Sequence, residues 1–327
     1  MSTRTHFIIY IILLAGCIDD APRDNPLDPL SPAYTEAGSM TGVVRIANQS
    51  TAIAGVIVTD LDENVFVMTD TLGYFVFNHL TTGRHRFVCS KENYTNDTFQ
   101  VEIQDRASTH VVRGLNGAPV VLSQNILTRK IDQYFPSPQY FVEVTAEMTD
   151  PNGDIDLDSV WFSVADTILF PLTNPIGSKK FSTTIFKNQL PTNTIQWLVG
   201  KSLHIVSRDD NRSVNIGSPF FVTRVIEQTA SPILSNTDSL DTSFELKWSP
   251  PDVTFNFSYT VTISILVGGV PLVVKTYTSI NSFFEKITYP YQSGDAPLQQ
   301  GSYLWSVTVV DEFGNYARSK ESTFTVK

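Results

Sequence analysis

Phe141-Val142-Glu143-Val144-Thr145-Ala146-Glu147 alternates apolar and polar side chains, so that Val142, Val144 and Ala146 share one face. A period of two marks a strand with one face on a core and the other in water. The same inward period returns at Val160, Phe162 and Val164, at Phe244, Leu246 and Trp248, and at Tyr259, Val261, Ile263 and Ile265. Turn formers separate these runs: Asp150-Pro151-Asn152-Gly153, Ala165-Asp166 and the strand-stopping Pro250-Pro251. Beyond the N-terminus no long stretch carries a helical period, so the chain reads as all-β.

A length of 327 residues exceeds one small sandwich and suits two or three modules of ~100 residues each. With 42% hydrophobic and 17% charged residues the chain is globular rather than disordered. The net charge of −10, with basic residues scattered singly apart from pairs such as Lys179-Lys180, argues against nucleic acid and against electrostatic attachment to anionic lipid.

Near the N-terminus, Arg4 and His6 precede the apolar run Phe7–Leu14, and Ala15-Gly16-Cys17 follows. A basic residue, a short apolar run and small residues form the layout of a secretory signal. The run is shorter than the ~20 residues that span a bilayer. Leu14-Ala15-Gly16-Cys17 resembles the bacterial lipobox, which implies cleavage before Cys17 and a diacylglycerol on its thiol. The expected arrangement is a signal peptide over 1–16 and a lipidated Cys17 with a tether over 17–38. The prolines Pro22, Pro26, Pro29 and Pro32 keep that tether extended. Asn25-Pro26-Leu27-Asp28-Pro29 resembles the start of Bacteroidetes-type lipoproteins, and Asp19-Asp20 resembles their surface-export signals. These resemblances imply a cell-envelope protein anchored by lipid in the outer membrane and displayed at the cell surface.

Three tandem β-sandwich modules are expected over 39–115, 118–225 and 231–327. In the first, strands are predicted at 41–47, 53–60, 65–69, 74–78, 84–90, 98–103 and 110–113, with Gly73 and Gly83 at turns that need positive φ. Gly42-Val43-Val44, Ala54-Gly55-Val56-Ile57-Val58, Thr69-Asp70-Thr71-Leu72-Gly73-Tyr74-Phe75 and Leu80-Thr81-Thr82-Gly83 resemble the carboxypeptidase regulatory-like domain, a transthyretin-like and non-catalytic sandwich. In the second module, strands are predicted at 141–147, 168–172, 180–186, 195–206 and 219–225. Val144–Gly153 followed by Leu157–Phe162 is similar to bacterial immunoglobulin-like domains. The third resembles fibronectin type III, with Trp248 as the early core Trp and Tyr303 as the corner Tyr whose hydroxyl ties to nearby backbone. Such resemblances imply fold and leave activity open.

No catalytic constellation is present. His6, His79, His85, His110 and His204 begin no zinc motif, and no nucleophile elbow or phosphate-binding glycine loop occurs. Alternation over Arg84–Cys89 places Cys89 beside Phe87, as a buried thiol. Asp150-Pro151-Asn152-Gly153-Asp154-Ile155-Asp156-Leu157-Asp158 offers oxygens at every second position, as Ca²⁺ prefers, but Ile155 and Trp161 stand where an EF-hand needs Gly and Glu. Solvation is the cheaper state of a surface turn, so no cofactor is expected. Were Ca²⁺ to bind, Asp150, Asn152, Asp154 and Asp156 would be its ligands. Trp161 alternates against Val160 and Phe162, which leaves it either exposed, as the candidate ligand-binding aromatic, or covered by a loop or a neighbouring module. The function expected is non-enzymatic: an anchored lipoprotein whose modules bind a glycan or a protein. A purely structural stalk is the alternative, and a hydrolase accessory role stands behind both.

Overall fold

A computed structural model describes Asp28, Leu30, Ser31 and residues 36–134, 137–233 and 243–326. Cys17 and the expected signal peptide lie outside the described residues. The described chain is nearly all β-strand, and its only helical pieces are single 3₁₀ turns. None of these is long and apolar enough to cross a membrane. Two compact units divide at Gly117/Ala118.

The first unit contains β1 (Ala37–Ile46), β2 (Ile57–Asp60), β3 (Val65–Met68), β4 (Tyr74–Thr81), β5 (Gly83–Ser90), β6 (Asp97–Ile103) and β7 (Ser108–Leu115). All seven predicted strands are present. One sheet has the order β4-β1-β7, with β1 and β7 parallel, and the other has the order β3-β2-β5-β6. Between them lie Met40, Val44, Val58, Phe75, Phe77, Phe87 and Cys89. Gly42 admits the Phe75 ring, which would lie 2.5 Å from an added Cβ. Gly73 has a φ of +71°, and a Cβ there would meet the Val44 carbonyl oxygen at 2.4 Å. Cys89 is fully buried, as alternation required, and burial pushes its thiol up to about 12.

The second unit holds β8 (Val120–Ile131), β9 (Gln139–Thr149), β10 (Leu157–Val164), β11 (Ile168–Leu172), β12 (Lys180–Phe186), β13 (Leu203–Asp209) and β14 (Val214–Ile216). It continues with β15 (Ser231–Pro232), β16 (Phe244–Ser249), β17 (Phe257–Val267), β18 (Val270–Asn281), β19 (Lys286–Tyr289), β20 (Gly301–Asp311), β21 (Tyr316–Arg318) and β22 (Ser322–Val326). Two cores form here, one within residues 126–222 and one within 226–326. The last core includes Ile226 and Ala230, which precede the expected 231–327 span. A single eight-stranded sheet, β12-β9-β8-β21-β20-β17-β18 with β22 on β20, backs both cores. Its continuity rests on the parallel pairing of Arg129–Ile131 with Tyr316–Arg318. A four-stranded sheet, β11-β10-β13-β14, covers the first of these cores, and β15-β16-β19 covers the second. Trp248 and Trp305 are buried, and the Tyr303 hydroxyl donates to the Gln299 carbonyl at 2.7 Å, the tie that the corner-Tyr resemblance implied.

Two expected strands differ. Residues 195–206 begin as a 3₁₀ turn, Ile195–Leu198, because the Thr194 hydroxyl accepts the Gln196 N–H and Gly200 turns the chain at φ +75°. Residues 219–225 run as coil, with only Phe220 bridging to Leu203.

Candidate metal centre and binding face

Asp150 follows β9 and turns the chain: its Oδ1 accepts the Asn152 N–H at 2.7 Å, and its carbonyl accepts from Gly153. Gly153, at φ 116°, leads into the 3₁₀ turn Asp154–Asp156, which enters β10. Leu157 is paired in register with Asp209, the last residue of β13. That pairing brings three carboxylates together. Oxygen atoms of Asp150, Asp156 and Asp209 all lie within 4.8 Å of one another.

Two members of the trio are deeply buried, Asp150 at 5% exposure and Asp209 at 1%. Asp209 Oδ1 accepts the Ser213 N–H at 2.7 Å, and Asp156 accepts from Asn211 Nδ2 at 3.5 Å. The Asp150 Oδ2 is buried and accepts no hydrogen bond. Burial above all pushes the Asp150 carboxyl up to about 6, against the Asn152 N–H and with added repulsion from Asp156, Asp209 and Asp154. Asp156 is raised too, by burial and then by Asp209 and Asp210. A carboxylate kept from water among like charges has its charged form disfavoured.

Of the four oxygen donors expected from sequence, Asp150 and Asp156 lie in this cluster, and Asp154 is not among its carboxylates. Asp154 points away: Lys179 Nζ lies 3.1 Å from its carboxylate and the Thr149 hydroxyl donates to it. Asn152 contributes its backbone N–H to Asp150. Asp158 is bound by Arg208, whose Nε donates to it at 2.8 Å. The third carboxylate, Asp209, comes from a strand far along the chain. Only the β10–β13 register could have revealed it.

Trp161 stands half-buried on the outer face of β10. Its strand neighbours in register are Pro171 on β11 and Val206 on β13, and Val206 is in turn paired with Ile216 on β14. These four make an apolar row across the sheet, flanked by exposed Leu169 and Val214. At the usual ~4.8 Å between strands the row spans roughly 14 Å. The Arg208 guanidinium lies over the Trp161 ring, 5.3 Å from its centroid, a cation–π contact. A concavity of about 700 Å³, unforeseen from sequence, gathers Tyr140, Phe186, Lys187, Asn188, Gln189 and Asn193 among its lining residues.

In the first unit, Asp60, Glu63 and His85 also converge, but protein groups already occupy them. His85 Nδ1 meets Asp60 Oδ2 at 2.6 Å and its Nε2 faces the Thr81 carbonyl at 2.9 Å. Glu63 accepts the Thr81 hydroxyl and N–H. His79 and His110 join no such group: His110 Nδ1 meets the Thr41 hydroxyl at 3.1 Å instead. The cluster is a closed hydrogen-bond network that ties β2 to β5.

No protein family and no curated protein sequence matches the chain. Among solved structures it is similar to BcpA, the major pilin subunit of Bacillus cereus, at 13% identity over 89% of this chain and 100% of that one, with a TM-score of 0.31. It is similar to the fibronectin(III)-like modules of Clostridium thermocellum CbhA at 12% identity over 64% of this chain and 94% of that one, with a TM-score of 0.30. A DUF3823 family protein from Bacteroides ovatus aligns at 11% identity over 56% of this chain and 96% of its own, with a TM-score of 0.26. At this distance the similarities carry nothing about what this chain binds.

Proposed function

We propose that this chain is a lipid-anchored envelope protein that displays β-sandwich units as non-enzymatic binding surfaces for a glycan or protein ligand. The observation that carries the binding role is the row Pro171, Trp161, Val206 and Ile216 across one sheet face. A half-exposed aromatic ring beside exposed aliphatic neighbours suits contact with a sugar ring or with an apolar protein surface. The anchoring role rests on Leu14-Ala15-Gly16-Cys17 at the end of an apolar run; acyl chains bury ~0.8 kcal/mol per CH₂ in a bilayer.

The test has two arms. Cys17→Ser should release the protein from membranes into the soluble fraction; a variant that still fractionates with membranes sinks the anchor. The released protein is then screened on a glycan array and by pull-down, alongside the same protein carrying Trp161→Ala. Binding lost in the second protein supports the face, and binding that survives unchanged rejects it.

One observation favours a second reading. The eight-stranded sheet that joins two sandwich cores through β8 and β21 makes a stiff body, as a stalk or assembly subunit needs. A chain that binds nothing in either screen, yet whose loss releases other surface proteins, fits that role instead.

A further inference from the structure

We propose that Asp150, Asp156 and Asp209 bind a calcium ion that staples the two sheets of the 118–225 sandwich together at one end. This goes beyond the ligand-binding role and does not depend on it.

The placement comes first. Asp150 directly follows β9, which belongs to the eight-stranded sheet; Asp156 directly precedes β10 and Asp209 ends β13, and these two strands belong to the four-stranded sheet that faces it. A cation held by all three therefore connects the two layers where each sheet runs out. The donors are carboxylates, with amides beside them and no imidazole or thiolate, the set that a hard cation takes and that zinc or copper does not prefer. Three carboxylates provide from three to six of the ~6–8 oxygens in a Ca²⁺ shell, leaving the rest to carbonyl oxygens and water.

The second observation is the state of one buried oxygen. Asp150 is 5% exposed, and its Oδ2 has no hydrogen-bond donor. A buried anionic oxygen without a partner is costly. The nearby cations are committed elsewhere: Lys179 pairs with Asp154 and Arg208 with Asp158. Among the described residues, no Lys or Arg forms an ion pair with Asp150 or Asp156. What satisfies this oxygen must come from solution, and a divalent cation does so while cancelling the repulsion among three acids.

Selectivity follows from the same geometry. Mg²⁺ demands a tight octahedron and sheds water reluctantly, whereas Ca²⁺ accepts irregular shells. Dissociation constants of about 0.1–1 mM are usual for extracellular Ca²⁺ modules.

The test uses the full chain carrying Cys17→Ser, stripped with EDTA and titrated calorimetrically with CaCl₂, with thermal melts in parallel. The expected result is one saturable Ca²⁺ site and a midpoint that rises with free Ca²⁺ as mass action requires. Asp156→Asn and Asp209→Asn should each weaken binding at least tenfold and remove the midpoint shift. Asp154→Asn should leave both within about twofold of the parent. Asp209 is fully buried, so the half-exposed Asp156→Asn, checked by far-UV circular dichroism, decides the matter if Asp209→Asn does not fold. No saturable binding up to several millimolar Ca²⁺, or binding that survives Asp156→Asn, overturns the proposal. So does equal loss in Asp154→Asn, which would move the site to the loop alone.

Discussion

The side-chain oxygen of Asn315 accepts the backbone N–H of Thr128 at 2.9 Å, and Asn315 is wholly buried. The same amide donates to the Thr223 hydroxyl and to Asp311, while the Thr128 hydroxyl donates to the Arg224 carbonyl at 2.8 Å. Arg224 returns an ion pair to Asp311. One side chain thus holds three segments: β8, the coil around 223–224, and the turn between β20 and β21. It lies next to the β8–β21 pairing, which carries one sheet across both cores.

Asn315→Ala should therefore cost more than an ordinary surface change. It leaves the Thr128 N–H without an acceptor and Asp311 without one donor, and each buried polar group left unsatisfied costs about 1–3 kcal/mol. The expected loss is roughly 2–4 kcal/mol, read by urea denaturation. The parent should melt residues 118–327 in one calorimetric transition and the variant in two. A variant within about 0.5 kcal/mol of the parent would show that the network carries no load.

Much of this architecture could be read in the sequence because its signals are local. Alternation located β5, β9, β10 and β16, and the glycines at 73 and 83 marked their turns with positive φ. The junction was not legible. β8 ends in Thr128-Arg129-Lys130-Ile131, a polar run whose Arg129 is buried only because Glu143 and Tyr316 receive it from distant strands. The carboxylate site was half legible for the same reason: Asp150 and Asp156 share a loop, but Asp209 reaches them through register.

His85 supplies a pH dependence. Burial, the largest single influence, disfavours its charge, but the hydrogen bond and charge of Asp60, the Thr81 carbonyl and Glu63 together outweigh it, so its pKa is raised in the fold. A raised value means that folding favours the protonated ring. That stabilisation is complete below the ordinary value of 6.5 and is lost as pH climbs through the higher folded value. The melting midpoint of the first unit should fall as pH rises from 6.5 through the raised folded value, and a His85→Gln variant should lose most of that slope. A parent curve as flat as the variant's would remove His85 from the account.

Gly73→Ala tests the turn before β4. An added Cβ meets the Val44 carbonyl at 2.4 Å, at a φ of +71°. Backbone strain of this kind costs about 1–3 kcal/mol, with steric displacement in addition. A midpoint lowered by several degrees is expected. An unchanged midpoint would mean that the turn relaxes freely.

Cys89 should be chemically silent while the first unit is folded. Only the thiolate attacks an alkylating reagent, and burial holds this thiol near 12 behind a fully covered side chain. In the Cys17→Ser chain, labelling by iodoacetamide should follow the rate at which the unit opens and rise sharply in denaturant. Rapid labelling under native conditions would contradict the burial.

The two tryptophans Trp161 and Trp248 separate binding from stability. Trp248 is fully buried in the last core and packs edge-on to Tyr259 at 5.1 Å; replacing such a ring by alanine removes its burial and leaves a cavity, at about 3–5 kcal/mol. Trp161 is only half-buried, and loses mainly part of its burial and its contact with Arg208, together about 1–2 kcal/mol. Trp161→Ala should therefore melt close to the parent, while Trp248→Ala melts far below it or fails to fold. Were both equally destabilising, Trp161 would be a core residue in disguise and the outer row no free surface. A folded Trp161→Ala protein is also what makes its loss of ligand interpretable, since binding would then vanish from a face that is still built.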